Sequence, residues 1–570
     1  MDFIFSYSDI QHIVLVKLCF FVFLSLGLVG IYKKWKPLFF IILMSVTSAL
    51  AYYFLVGGTA LMFWGLKADE ITIAAMYEMF AHGNIWSDFA YAGLPPFYPP
   101  LFFWLFGLLG RVFSLNGIQL AKIASFSTIL LFPTFFYFTQ KFYWLKKKIE
   151  NDDKITSIAW MLGVFLLFIL VGWDAIIIKP YEFISAPLII FWVVCLLTKL
   201  KEGLNWKEIL LFGITGGILF LLFYFWFFLG AIAIAFFNLF TGKMNFKKYL
   251  NLFTVAFLLI FFSIPFWFPL AQSYSKFGAE NWQLGFLTVS WLSTYAPMLN
   301  FSLVGFISLF GFGVLIFYRD RFYIRALLSL FVASYIWQIM GLLTILFFSS
   351  PLQESKGFHF FNQTILALAT AYGLEKLWNY LKQKYSIQKQ FSTAAIVALF
   401  ILATQLFFGF FVDDARVLAV RDRSLLPGRE ASEVVNFLQN NYIDIYKMTV
   451  LESGIPELHA FLPINDFIYF NQHNSHPAAN FSQRFYYLKD LGQVETKEEF
   501  YDKIVNTPFG RIDLLILFKN GENFSLFFNL DNFPNELKEV IIDIPKELID
   551  EEFFIEEFDN KDYKIFAPIL

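Results

Sequence analysis

Long apolar runs separated by short basic clusters make up the first 412 residues of the chain. An apolar run of about 20 residues can cross the bilayer as a helix, and lysine and arginine collect in the cytoplasmic loops between such helices. The pattern predicts a polytopic α-helical membrane part with about 11 to 13 spans. They fall near residues 11–31, 37–58, 155–173, 183–199, 209–240, 250–270, 301–318, 326–348, 358–375 and 392–412.

The stretch 101–140 contains two apolar segments, although the flanking charges require an odd number of crossings there. A short or re-entrant segment after Pro99 and Pro100 removes this conflict, because such backbone is tolerated where it lines a protein cavity. With this topology the loop 59–100 and the C-terminal part face outward.

After Phe411 the apolar runs become short, and Gly, Asn, Asp and Pro separate them. The pattern predicts a mixed α/β domain over residues 413–570, following a membrane domain over 1–412. The predicted elements are a helix at 434–439 and strands at 448–453, 513–518, 539–544 and 563–569.

Composition and charge agree with this division. The chain is 58% hydrophobic and 21% aromatic, which excludes an ordinary soluble protein. Residues 413–570 carry 28 acidic and 15 basic residues, net −13, whereas residues 1–412 carry 17 and 28, net +11. Neither part suggests nucleic acid as a partner. Cys19 and Cys195 both lie in apolar runs, so no disulfide framework and no thiol metal site are expected.

Asp69 and Glu70 directly follow an apolar segment and begin the first large outer loop. Ionisable residues at the mouth of a span suggest a functional site, and an acidic pair in this place is typical of membrane glycosyltransferases that use lipid-linked sugars. Asp69 is the candidate general base for an acceptor hydroxyl. Glu70 is the candidate metal ligand or partner of sugar hydroxyls. The alternative is that the pair caps a surface helix over 70–81.

The same loop ends in a proline-rich run that leads back into the membrane. Asp88 precedes this run and is a candidate for acceptor or metal binding, with a turn carboxylate as the alternative. Tyr98 and Trp104 are candidates for stacking on sugar rings, with an interfacial aromatic belt as the alternative.

Two further outer loops carry candidate phosphate-binding residues. Lys179, Tyr181 and Glu182 lie between two spans and form one predicted substrate-binding group. The alternative for Lys179 is a lysine that snorkels to lipid head groups. Lys356 and His359, one turn apart at a helix start, form the other group, with a solvated loop end as the alternative.

Metal binding by histidine is not indicated. His82, His473 and His476 lack metal-ligand spacing, so no zinc site is predicted.

The runs YAGLPPFYPPLFFW (91–104), KPYE (179–182), HPAANFSQR (476–484) and TPFGRIDLLILF (507–518) resemble the actinobacterial galactan arabinofuranosyltransferases. The resemblance covers most of the chain. It implies a GT-C membrane part with an extracytoplasmic C-terminal domain, and transfer of arabinofuranose from a polyprenyl-phosphate donor to a cell-wall glycan. It places the family's acidic motif at Asp69 and Glu70 and its lysine loop at 179–182.

We therefore expect an inverting polyprenyl-phosphate-sugar glycosyltransferase in the cytoplasmic membrane, with the C-terminal domain binding the acceptor glycan. A divalent cation is compatible with the acidic pair, and no organic cofactor is expected. The alternatives are a flippase or transporter for lipid-linked sugars, which predicts paired charges at mid-membrane, and a non-catalytic assembly protein of the cell envelope. No span-interior acid and no repeat are evident in the sequence.

Overall fold

The computed structural model describes residues 6–146, 156–241, 246–280, 292, 295–352, 358–384, 389–535 and 537–569. Within these residues, helices form the chain up to Ser424, and all strands lie between Thr449 and Pro568. The predicted succession of a polytopic helical part and a mixed α/β part is confirmed. Among the described residues six or seven candidates are long and apolar enough to cross a bilayer, fewer than the 11 to 13 predicted spans.

The helices of the first part are listed here in chain order. They are α1 (Tyr7–Tyr32), α2 (Pro37–Val56), α3 (Asp69–His82), α4 (Leu101–Phe113), α5 (Gly117–Lys146), α6 (Ser157–Val171), α7 (Trp173–Ile178), α8 (Pro180–Glu202), α9 (Trp206–Leu222), α10 (Phe225–Thr241), α11 (Phe246–Phe262), α12 (Ile264–Phe277), α13 (Leu303–Phe317), α14 (Phe322–Phe348), α15 (Phe358–Lys384), α16 (Lys389–Val412) and α17 (Asp414–Ser424).

This is a multi-pass membrane protein. In the described ranges, six helices are long and apolar enough to cross a bilayer, and α11 and α12 form a seventh candidate that bends by 74°. Four shorter apolar helices accompany them: α4, α6, α10 and α13. Large apolar side chains on α1 stay uncovered, with Phe21 57% and Val14 50% exposed, as expected for a helix that faces lipid.

Helix α4 is the short segment predicted after Pro99 and Pro100. It has 13 residues, fewer than the number that crosses a bilayer. Arg111 near its end donates from Nε to the Phe80 carbonyl (2.9 Å) and from Nη2 to the Gly83 carbonyl (2.6 Å). These bonds satisfy carbonyls at the end of α3, so α4 lies against α3.

The part of the chain after Ser424 is named the outer part, because the sequence predicts that it faces outward, and it contains short helices and seven strands. The helices are α18 (Arg429–Asn441), α19 (Pro456–Phe461), α20 (Phe481–Leu491) and α21 (Lys497–Val505), and the strands are β1 (Thr449–Glu452), β2 (Asn465–Asp466), β3 (Leu514–Asn520), β4 (Asn523–Asp531), β5 (Leu537–Pro545), β6 (Phe554–Asp559) and β7 (Tyr563–Pro568). The helix and the four strands expected from the sequence are all present.

The sheet is mixed. Its main order is β2-β1-β3-β4-β5, and β7 pairs with both β3 and β6. Strands β2, β1 and β3 are parallel, whereas β4, β5, β6 and β7 pair antiparallel. The parallel strand β3 is buried over its first four residues, which matches its continuous apolar run.

A buried ion pair joins the start of the membrane part to helix α17. Arg421 is 2% exposed and donates from Nε to Asp9 Oδ1 (3.0 Å), with Nη2 2.5 Å from the same oxygen. Its Nη1 also donates to the carbonyls of Leu55 and Gly57. One guanidinium therefore ties α1, the end of α2 and α17 together.

The outer part rests on the proline-rich loop that follows α3. The Asp466 amide donates to the Ala90 carbonyl (2.6 Å). The Tyr91 hydroxyl lies 2.6 Å from Ser475 Oγ and accepts from the Tyr469 amide (3.0 Å). Backbone pairing and one buried hydroxyl thus fix the loop against β2 and the chain after it.

Candidate active site

The backbone turns sharply just before the acidic pair. Gly65, Leu66 and Ala68 have positive φ angles of 75°, 56° and 51°. Such conformations strain residues other than glycine and are common at functional sites, where surrounding contacts impose them. Asp69 and Glu70 are the first two residues of α3, so neither is its N-cap.

Helix α3 is not a surface helix. Every residue from Glu70 to Ala81 is buried, so the alternative of a capped surface helix is wrong. At its far end Glu78 accepts from the Gly117 amide (2.6 Å) and lies 2.8 Å from His82 Nδ1. The hydrogen bond from Glu78 raises the pKa of His82. These contacts anchor α3 and α5 to each other.

Asp69 forms an ion pair with a residue more than a hundred positions away. Its Oδ2 lies 2.6 Å from Lys179 Nζ, at the junction of α7 and α8. The Asp69 side chain is 33% exposed and the Lys179 side chain 27% exposed, so a ligand can reach both. Two of the predicted site residues therefore meet, and Lys179 binds a carboxylate of its own chain.

The residues that follow Lys179 lie beneath this ion pair. Glu182 is buried, with Oε1 4.0 Å from Lys179 Nζ and without a hydrogen-bond partner. Burial acts to lower the pKa of Lys179, but Asp69 and Glu182 outweigh it and raise that pKa above its ordinary value. Tyr181 is buried with its ring 5.1 Å from that of Phe103. Lys179 is therefore a permanent cation.

Two other predicted residues interact electrostatically with Lys179. They are Tyr98, from the proline-rich loop, and His359, from the first turn of α15. The ring of His359 lies 6.5 Å from that of Tyr295. Lys356 lies outside the described residues. Lys179 thus interacts with residues from segments that are far apart in the chain: 69, 98, 182 and 359.

Glu70 points away from this group into the protein. Both of its carboxylate oxygens accept from the Trp64 amide at 2.8 Å, and the residue is 0% exposed. Burial raises the pKa of Glu70 to about 8, against the lowering effects of the Trp64 amide and the charges of Arg423 and Lys122. These contacts hold the strained turn in front of Asp69, and they favour a positioning role over the expected metal-ligand role.

Sequence reasoning missed Lys122. This residue lies within the apolar stretch 101–140 and near Glu70, and its Nζ donates to the carbonyl (2.7 Å) and the hydroxyl (2.8 Å) of Thr59. A lysine inside an apolar segment is itself a signal of function or of a buried partner. Here it ties α5 to the loop after α2.

Asp88 forms a turn. Its Oδ1 accepts from the amides of Ala90 (3.0 Å) and Tyr91 (3.1 Å), whereas Oδ2 is buried without a hydrogen-bond partner. Burial raises the pKa of Asp88 to about 7. Oδ1 therefore acts as a turn carboxylate, which was the alternative interpretation of Asp88. Oδ2 is enclosed and could still accept a hydrogen bond from a ligand.

Two cavities flank the proline-rich loop. The first has a volume of about 250 Å³ and is apolar, with proline, tryptophan and phenylalanine walls that include Trp86, Trp104 and Pro265. The second, of about 440 Å³, is more polar and includes Gln272 and Lys276. In the part of the chain that the structure describes, Asp69 and Lys179 line neither cavity.

Sequence reasoning also missed a group in the outer part. The side chains of Glu452, His459 and Asp466 converge there, and all three are buried. His459 has no metal-binding motif around it. The only signal was a charged residue at the end of one apolar run, Glu452, and another directly before a later apolar run, Asp466.

The chain matches one family model and is similar to solved structures. The model described as Arabinofuranosyltransferase N terminal matches residues 11–406. ArnT from Cupriavidus metallidurans, bound to undecaprenyl phosphate, is 13% identical with a TM-score of 0.51, over 93% of this chain and 98% of that chain. AglB, the archaeal oligosaccharyltransferase from Archaeoglobus fulgidus in complex with an inhibitory peptide and a dolichol-phosphate, is 14% identical with a TM-score of 0.46, over 85% and 69%.

No curated protein matches the chain. At 13% identity the likeness to ArnT concerns the fold, which agrees with the GT-C architecture predicted from the sequence. The family model is the stronger finding, because it matches residues 11–406 of the 570. This chain belongs to the arabinofuranosyltransferase family and is a membrane glycosyltransferase of the GT-C type.

Proposed function

We propose that this chain transfers arabinofuranose from a polyprenyl-phosphate donor to a cell-surface glycan, with inversion at the anomeric carbon. Family membership supports the sugar and the reaction class. The donor class is carried over from ArnT, whose structure was solved with undecaprenyl phosphate bound. The observation that carries the site assignment is the Asp69–Lys179 ion pair, which is open to solvent and backed by buried Glu182.

Asp69 is the proposed general base. Of the acidic pair, only Asp69 presents its carboxylate to the surface, because Glu70 is buried and bonded to Trp64. A base must come within hydrogen-bond reach of the proton that it removes. We therefore assign the role of general base to Asp69, because its carboxylate is the exposed one of the two.

Lys179 is the proposed partner of the departing phosphate. A permanent cation stabilises negative charge that develops on the leaving oxygen, and it does so most effectively where water is scarce. Buried Glu182, 4.0 Å away, keeps the lysine charged and in place. Tyr98, Tyr181 and His359 surround this cation and are the proposed contacts to the donor.

The proposed step is a single displacement. The acceptor hydroxyl oxygen forms a bond to the anomeric carbon, and the bond between that carbon and the phosphate oxygen breaks. The hydroxyl proton moves to the Asp69 carboxylate, and the bonding electron pair leaves with polyprenyl phosphate beside Lys179. One displacement without a covalent enzyme intermediate inverts the configuration of the sugar.

The outer part is the proposed acceptor-binding region, over residues 413–570 and on the extracytoplasmic side. Basic loops in the membrane part and the excess of acidic residues after residue 412 support this orientation. Asp88 and the more polar cavity, which both belong to the loop on which the outer part rests, are the proposed acceptor contacts.

The test is transfer of labelled sugar from synthetic polyprenyl-phosphoryl-arabinofuranose to oligosaccharide acceptors by the purified chain. Polyprenyl-phosphoryl-ribofuranose serves as the matched donor, since it differs in configuration alone. We expect transfer from the arabinose donor, and the configuration of the product identifies inversion. Transfer from the ribose donor alone would overturn the sugar assignment, and no transfer from either would overturn the donor class.

The base is tested with Asp69→Asn against a matched variant, Asp174→Asn. Asp174 is an outer-loop carboxylate that pairs with Arg416 at 3.8 Å and is more than half exposed. Loss of a general base lowers the rate by about 10²–10⁴-fold, so only Asp69→Asn should lose activity to that extent. Wild-type turnover by Asp69→Asn would move the assignment to another carboxylate.

Whether a divalent cation takes part in transfer is tested by adding EDTA to the same assay. Full activity in EDTA would exclude a readily removed metal, including one at Glu70. A loss that Mg²⁺ or Mn²⁺ restores would support the cation expected from the acidic pair.

A further inference from the structure

Three chain segments bring ligand atoms together inside the outer part. Glu452 ends β1, His459 lies on α19 and Asp466 ends β2, and they are 1%, 1% and 3% exposed. His459 Nε2 lies 3.3 Å from Asp466 Oδ2 and 3.7 Å from Glu452 Oε1. One ligand atom from each residue fits within 4.8 Å of the others.

These atoms lack hydrogen-bond partners. Glu452 Oε1, both nitrogens of His459 and both carboxylate oxygens of Asp466 are buried without one, whereas Glu452 Oε2 accepts from the Ile455 amide (2.6 Å). Buried polar groups in native proteins nearly always have hydrogen-bond partners. Five buried polar atoms without such partners in one place therefore need an explanation. One ligand atom from each residue lies within 4.8 Å of the other two.

The charges in the group do not balance within the chain. With both carboxylates ionised and the imidazole neutral the group would carry −2, and among the described residues no lysine or arginine forms an ion pair with either carboxylate. A buried carboxylate without a cation is strongly disfavoured. A dication would neutralise the two carboxylates.

The two distances from His459 to the carboxylates are close to those between the ligands of one metal ion. Zinc bonds nitrogen and oxygen ligands at about 2.0–2.2 Å, so ligands of a tetrahedral site lie about 3.3–3.6 Å apart. The distances of 3.3 and 3.7 Å from His459 Nε2 are close to this range. An imidazole among the ligands favours Zn²⁺ or a similar transition metal over Ca²⁺ and Mg²⁺, which prefer oxygen.

We propose that Glu452, His459 and Asp466 bind a structural Zn²⁺-class divalent cation. Glu452 Oε1, His459 Nε2 and Asp466 supply the ligands. The cation joins β1, α19 and β2 at the place where the Asp466 amide bonds to Ala90 of the proline-rich loop (2.6 Å). It holds the outer part in register on that loop, and its role is separate from the Asp69–Lys179 group.

The first measurement is the metal content of the full chain, purified in detergent without chelator and equilibrated with Zn²⁺ and then with metal-free buffer. We expect about one Zn²⁺ per chain for wild type, and at most about a tenth of that for His459→Gln and for the double variant Glu452→Gln/Asp466→Asn. His473→Gln is the matched control in the same part of the chain and should keep its metal.

X-ray absorption at the zinc edge gives a second measurement that needs no variant. We expect a shell of nitrogen and oxygen at about 2.0–2.2 Å with the outer-shell scattering of one imidazole. A wild-type chain that holds no Zn²⁺ after equilibration would overturn the proposal. So would full zinc content in both cluster variants, or a spectrum without imidazole. In those cases protons shared among Glu452, His459 and Asp466, and not a metal ion, would stabilise these side chains.

Discussion

Each part of the chain brings a pair of carboxylates together, but the two parts neutralise their charges in different ways. In the membrane part Asp69 and Glu182 share Lys179, at 2.6 and 4.0 Å. In the outer part Glu452 and Asp466 have only His459 between them. The first group contains its own cation, whereas the second requires protons or a metal ion to supply positive charge.

The two groups also differ in access. Asp69 and Lys179 keep 33% and 27% of their side-chain surface, whereas the ligand atoms of the outer group are closed off completely. A charged group that is open to solvent can exchange its partner for a substrate. A closed one can only hold what it binds, so it serves the structure of the outer part.

The largest effect should come from a buried carboxylate that has its cation within the chain. Asp9→Ala leaves Arg421 buried without its anion and should reduce the free energy of unfolding by about 3–5 kcal/mol. Asp414→Ala is the control. It removes the ion pair between Lys17 and Asp414, which joins the same two helices, but the Asp414 side chain is 84% exposed. That loss should be about 0–1 kcal/mol.

Thermal unfolding in detergent, followed by tryptophan fluorescence, checks this prediction. Asp9 also forms a capping box with Ser6, so Ser6→Ala measures the capping contribution, about 1 kcal/mol. Equal losses of unfolding free energy for Asp9→Ala and Asp414→Ala would contradict the expectation that breaking a buried ion pair costs more than breaking an exposed one.

The open group is tested by removing its cation. Lys179→Met should lower kcat by about 10²–10³-fold, because one preorganised charge at a leaving group has an effect of that size. Lys179→Arg keeps the charge and should lose less. Lys33→Met, at an exposed lysine that lies over the Tyr32 ring, is the control and should stay near wild type. An unchanged kcat for Lys179→Met would remove Lys179 from the mechanism.

The closed group is tested by removing its negative charge. If the zinc proposal holds, chelation with EDTA should lower the unfolding midpoint of wild type, by the equivalent of about 2.7 kcal/mol where free metal had been a hundredfold above its Kd. Glu452→Gln/Asp466→Asn should unfold at the same temperature with and without EDTA. Lys179→Met should respond to EDTA as wild type does, which separates the two groups. A chelator response by the double variant would place the metal elsewhere.

The smallest effect concerns the partly exposed His82 and its buried partner Glu78 at the end of α3. Its hydrogen bond to Glu78 raises the pKa of His82, so the folded chain binds that proton more tightly than the unfolded chain. The stabilisation is complete below about pH 6.5 and is lost as the pH rises through the raised value. His82 is 35% exposed, so solvent screening limits the effect to about 0.5 kcal/mol.

Unfolding midpoints between pH 6 and pH 8 measure it. His82→Gln should flatten the pH dependence, whereas His12→Gln, at a histidine that contacts the Phe54 carbonyl, should leave it unchanged. A profile for His82→Gln that matches wild type would assign the pH dependence to other groups.

The elements of this chain could be predicted because their signals are local. Apolar length indicates a membrane helix, and short apolar runs between turn residues indicate strands. The helix α18 and the strands β1, β3, β5 and β7 therefore follow from sequence alone. The candidate residues Asp69 and Lys179 could also be named, because a charge beside an apolar segment stands out.

Their partners could not be predicted in this way. Nothing near Asp69 in the chain indicates Lys179, and nothing near Glu70 indicates that both of its oxygens bind the Trp64 amide. His459 was overlooked because no motif surrounds it. Its significance depends on β1 and β2 being adjacent and parallel, with Val450 paired to Asp466.

The sequence by itself determined the membrane helices, the α/β outer part, the family resemblance and the outer-loop residues that could carry chemistry. These follow from the hydrophobicity, charge and turn residues of short segments. Only the tertiary structure decided that Lys179 neutralises Asp69, that Glu70 faces inward, and that Glu452, His459 and Asp466 meet. The physical reason is that the free energy of a charge depends on burial and on its neighbours within a few ångströms, and long-range packing sets both.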